Sequence, residues 1–142
     1  MVGEFDGKAM DSRYLGYFAC FNRQEFYLAH EVLEDLWLES RGAPEANFFK
    51  ALIQLTGAFV HLQKNRLRPA AALFRLARGY FSDFPKDYHQ LDLAAVIKIA
   101  DLWLELLERG QYSVNPLASQ STPQLFPSGL SDIRIASCEA SR

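Results

Sequence analysis

One segment limits the fold more than any other. From about Glu45 to Asn65 the chain holds no proline, and apolar residues recur at helical spacing around most of the circumference. Phe48, Leu52, Leu55, Phe59 and Leu62 make one stripe, and Phe49, Ile53 and Val60 make another. A helix that is apolar nearly all round has to be buried on several sides, so it predicts a central helix with others packed about it. A narrow polar strip remains, made of Lys50, Gln54, Gly57, His61 and Lys64. Gly57 lets another chain or a ligand come close there. The plainer explanation is that the strip is where the helix meets water.

The surrounding sequence supplies the neighbours. Asp11 or Ser12 can cap a short helix over Arg13–Cys20. Asn22, with Glu25 three residues on, reads as the capping box of a second helix, and Phe21 and Phe26 as its hydrophobic staple. That helix ends near Ser40 or Arg41, before Gly42 and Pro44. Pro69 is expected at the first position of a fourth helix that Pro85 closes. His89, in the loop that follows, is expected in solvent. Asp92 caps a fifth helix over Leu93–Arg109, with Gly110 as its left-handed stop.

From Tyr112 onward Pro, Ser, Gln and Thr dominate and no period is visible, which predicts an extended or disordered tail over 112–142. Its scattered apolar residues (Leu117, Leu125, Phe126, Leu130, Ile133, Ile135) could dock as an irregular strap. With no strand-rich stretch and no repeat, residues 1–111 are expected to form a compact all-α bundle of about five helices.

Composition excludes several functions. A length of 142 residues suits one core, and 49% apolar with 23% charged residues is ordinary for a globular protein. A net charge of −2 argues against nucleic-acid and anionic-membrane binding. Arg66, Arg68, Arg75 and Arg78 read as a solvated helix face. No apolar run reaches the roughly 18–20 residues of a membrane span, and Glu4, Phe5 and Asp6 break any signal-peptide pattern. The two cysteines, Cys20 and Cys138, lack metal-type spacing, and Cys20 is expected to pack as a small apolar residue. A cytoplasmic protein with reduced thiols follows as the expectation.

Chemistry gathers on the second helix. At about 100° per residue, Phe26, Ala29, Leu33, Leu36 and Trp37 share the inward face, His30 lies just within it and Glu34 about 40° beyond. An i,i+4 pair places an imidazole and a carboxylate about 5–6 Å apart at Cβ, close enough to hold one metal ion or for the carboxylate to orient the ring. The same spacing also suits a hydrogen-bonded structural pair. A zincin is excluded, because H-E-x-x-H needs a second His where Glu34 stands.

The run Phe21-Asn22, Ala29 through Trp37, Ala51-Leu52-Ile53-Gln54-Leu55, His61, Phe84-Pro85 and Leu91-Asp92-Leu93 resembles the bacterial and archaeal domain-of-unknown-function family 309. The likeness extends over about residues 14–108. The family's H-x-x-x-E-x-x-W/Y motif is met by His30, Glu34 and Trp37. Ala51 stands where the family often has Gly, a small-for-small exchange. The resemblance implies a compact helical fold and a metal-binding role for the motif residues, but no known reaction or substrate.

Packing of the second helix on the third would bring His30 and Glu34 toward Gln54 and His61. His30, Glu34 and His61 would then match the ligand set used by Zn²⁺, Fe²⁺ or Mn²⁺, with Gln54 as an orienting group and Trp37 as a wall. Without metal, the same groups form a polar core network. Two classes of function stay open. One is a small metal-dependent or acid–base enzyme, hydrolase-like, acting on a small-molecule ligand. The other is a non-catalytic binding or homo-oligomerisation module, to which Leu28 and Leu38 on the polar face of the second helix point.

Overall fold

The computed structural model describes residues 11–127. Five helices follow one another: α1 (Ser12–Asn22), α2 (Phe26–Ser40), α3 (Ala46–Gln63), α4 (Leu67–Phe81) and α5 (Leu93–Arg109). Each packs on the next in the chain, and α3 packs on both α2 and α4. There is no strand among the described residues. The expected all-α bundle is therefore the fold.

The centrality of α3 follows from its stripes. Phe48, Leu52, Leu55, Phe59 and Leu62 are fully or almost fully buried. Phe59 is the hub. Its ring centroid lies 5.7 Å from Phe21 of α1, 5.0 Å from Phe26 of α2, 5.3 Å from Phe74 of α4 and 5.1 Å from Trp103 of α5. Burying one large side chain of this kind contributes roughly 1.5–3 kcal/mol, so α3 organises the bundle mainly through apolar contact.

Three local expectations are corrected. Asn22 is the last residue of α1 and not the cap of α2; α2 starts at Phe26 with Glu25 before it and no side-chain cap. The chain turns between them at Gln24, whose φ is 65°. The Phe21–Phe26 contact forms all the same, edge to face at 5.0 Å. Pro69 is the third residue of α4, not the first, a position where a missing N–H is still harmless. Gly110 stops α5 at φ −83°, and the left-handed conformation falls on Gln111 and Tyr112 instead. Asp11 and Asp92 do cap α1 and α5, accepting from Arg13 N and Ala95 N at 2.8 and 3.1 Å.

Part of the expected tail is a strap. Asn115 Nδ2 donates to Leu62 O at 2.7 Å, after which a short 3₁₀ turn spans Pro116–Ala118. Further on, Asn22 holds Leu125 from both sides: Nδ2 donates to its carbonyl at 2.9 Å, and Oδ1 accepts from its N–H at 2.7 Å. Leu125 is buried beneath this clasp. Leu130, Ile133 and Ile135 lie outside the described residues.

Cys20 is fully buried but disulfide-bonded, not the free apolar thiol expected. Cys138 lies outside the described residues. On the outer face of α2, Leu38 is exposed and Leu28 half-buried. Among the described residues, no helix is long and apolar enough to cross a membrane.

Candidate functional site

The motif residues run along one edge of α2. His30 and Trp37 are half-buried, and Glu34 is exposed. The 40° between the two motif positions separates core edge from solvent. No side-chain hydrogen bond or ion pair joins His30 to Glu34 or to another described residue, so the hydrogen-bonded structural pair does not form. One turn beyond Trp37 on this edge stands Arg41, its guanidinium 5.9 Å over the indole centroid. The i,i+4 spacing from Trp37 to Arg41 is the local signal for this contact.

The strip of α3 is not simply a wet face. Lys50, Gln54, Gly57 and His61 are all half-buried, and only Lys64 is exposed. The close approach expected at Gly57 comes from α4: a Cβ there would meet Leu73 Cδ1 at 3.1 Å. Lys50 Nζ sits 5.5 Å over the Tyr80 ring, so α4 also covers the start of the strip. On the same strip Gln54 Oε1 and His61 Nδ1 are buried from solvent, and neither has a hydrogen-bond partner among the described residues. Burial, then the charges of Arg66 and Lys64, lowers the His61 pKa below its ordinary value. A neutral ring with an unused nitrogen follows near pH 7.

A divalent metal fits this arrangement poorly. No group of three or more His, Cys, Asp or Glu side chains that could hold a metal ion gathers among the described residues. The expected set of His30, Glu34 and His61 is thus not brought together, since Glu34 faces outward. What the arrangement offers is hydrogen-bonding capacity: a buried amide oxygen on Gln54 and a buried imidazole nitrogen on His61, both without a partner among the described residues, and the half-buried His30.

The arginine face behaves as read. Arg75 and Arg78 pair with Glu108 and Asp101 of α5, and Arg68 lies 4.5 Å over the Tyr112 ring. His89 does not. It is half-buried at φ 50°, stacked on Phe48 at 5.2 Å, and burial lowers its pKa against the opposing influence of Glu45. Little local marks this: apart from the adjacent Tyr88, its ring partners Tyr14, Phe48 and Phe49 come from distant parts of the chain.

No curated protein and no solved structure matches the chain. Residues 14–73 match the model of the family described as Domain of unknown function (DUF309), and the motif residues and the α3 strip all fall within that match; the Phe84-Pro85 and Leu91-Asp92-Leu93 segments lie beyond it. Over most of α1, all of α2 and α3 and the first half of α4, the chain is similar to that family.

Proposed function

We propose that the protein binds a small polar ligand along the edges of α2 and α3. Gln54 and His61 supply hydrogen bonds, His30 adds a third polar group, Glu34 a carboxylate at the rim, and Trp37 an apolar wall. The observation that carries this is the pair of sealed, unpartnered atoms, Gln54 Oε1 and His61 Nδ1, two turns apart on one helix strip. Buried polar groups are nearly always satisfied, and an unsatisfied one costs about 1–3 kcal/mol. A site that tolerates two such groups is organised to hydrogen-bond something else. With His61 neutral, the same nitrogen can also accept a proton, so acid–base chemistry on a bound ligand is a second use of one arrangement.

Acetamide, which carries one amide donor set and one acceptor, is a minimal probe. It is expected to shift the His61 and Gln54 side-chain NMR signals saturably. Gln54→Met and His61→Leu should abolish that response while raising stability, by about 1 kcal/mol or more each if the desolvation cost is relieved. A fall in stability in both variants, together with no acetamide response in the wild type, would sink the reading.

A further inference from the structure

On the opposite edge of α2 lies a cavity of about 340 Å³ between the start of α1, the end of α2, the start of α3 and the 3₁₀ turn at Tyr88–Gln90. That volume is within the small-molecule range of roughly 300–1,000 Å³. Tyr14, Phe49 and His89 form three mutually adjacent walls, with ring centroids 6.2 Å (Tyr14–Phe49), 5.5 Å (Phe49–His89) and 5.9 Å (Tyr14–His89) apart. The walls are fixed. Tyr14 OH donates to His89 O at 2.8 Å, and Phe48 stacks on the imidazole.

Asp11, Glu39 and Glu45 add three carboxylates to the lining. Arg13 takes up the first two, at 2.9 Å to Asp11 and 2.6 Å to Glu39. Glu45 has no ion-pair or hydrogen-bond partner for its side chain among the described residues. It sits half-buried at the foot of α3 with two aromatic rings and a neutral imidazole nearby. Three carboxylates against one guanidinium leave the cavity wall negative, and aromatic faces add their own attraction for cations.

We propose that this cavity binds a small organic cation, an alkylammonium group, with its charge against Glu45 and its carbon substituents on Tyr14, Phe49 and His89. The occupant is organic because the walls are aromatic and no group of three or more His, Cys, Asp or Glu side chains that could hold a metal ion gathers among the described residues. It is cationic because Glu45 lacks a counter-charge. The inference does not depend on the α2–α3 reading, since the two sites share no residue.

The test is an NMR titration of the full chain with butylammonium chloride and tetramethylammonium chloride, against 1-butanol and sodium chloride as neutral and ionic controls. Saturable shifts centred on Phe49, His89 and Tyr14 are expected for the ammonium probes and not for the controls. Glu45→Gln should weaken binding by about fivefold to tenfold, the scale of a partly desolvated charge contact. Phe49→Leu, which keeps an apolar side chain in place, should weaken it as well. Equal shifts from 1-butanol, unchanged affinity in Glu45→Gln, or no saturable response to either ammonium probe would each overturn the proposal.

Discussion

At the scale of single residues, the Tyr17–Thr56 contact shows how a buried hydroxyl is satisfied. Tyr17 and Thr56 have no exposed surface. Thr56 Oγ1 spends its hydrogen on Leu52 O at 2.8 Å, so its lone pairs are left to accept from Tyr17 OH at 2.9 Å. Burial raises the Tyr17 pKa despite the Thr56 hydroxyl. Thr56→Val keeps the shape but leaves Tyr17 OH with only a stretched contact to Leu52 O at 3.5 Å. A loss of about 1–3 kcal/mol is expected in urea denaturation, larger than for Tyr17→Phe, which leaves Thr56 satisfied. The opposite ranking would mean that this hydroxyl pair is not what the site responds to. No sequence pattern announces such a pair, because the residues stand 39 positions apart.

Helices and turns were legible where their signals are local. Asp92 as cap and Arg109 as end frame α5 as expected, because capping is decided within one turn. Asn22 shows the limit. Its type is right for a cap, yet a segment about a hundred residues away claims both ends of its amide. Tertiary context outweighed a local preference worth only about 1 kcal/mol. The burial of Gln54 Oε1 and His61 Nδ1 is likewise set by tertiary packing and not by any local signal. Asn22→Ala should lower stability by about 1–2 kcal/mol, two hydrogen bonds at a net of under 1 each. Limited proteolysis within 113–125 should speed up by more than that global loss explains, since the strap opens separately from the bundle. Proteolysis that only tracks the urea midpoint would contradict a separately opening strap.

For the molecule as a whole, the bundle was readable from α3 alone, since an all-round apolar helix admits few arrangements. Charge adds a pH dependence. Burial holds the His61 and His89 pKa values below the ordinary 6.5, so the unfolded chain binds protons there more readily. Stability is then fully present above about pH 6.5 and declines as pH falls toward the lowered folded values. Asp11 and Glu39 are shifted down, first by hydrogen bonds from Arg13. Their contribution is lost only further into acid, as pH falls below the ordinary carboxylate range. Urea midpoints at constant ionic strength should therefore drop between pH 7 and pH 5, and His89→Gln should flatten part of that slope. A midpoint that holds steady or rises over this interval would contradict the assignment.

The Phe59 hub carries one more implication. Its ring meets aromatic side chains from α1, α2, α4 and α5 at once. A cut in any connection between helices divides that cluster, so neither half inherits a complete interior. Complementary fragments of this chain are obliged to fold by finding each other, and a nick between α4 and α5 turns one molecule into a two-piece assembly whose formation is second order in concentration.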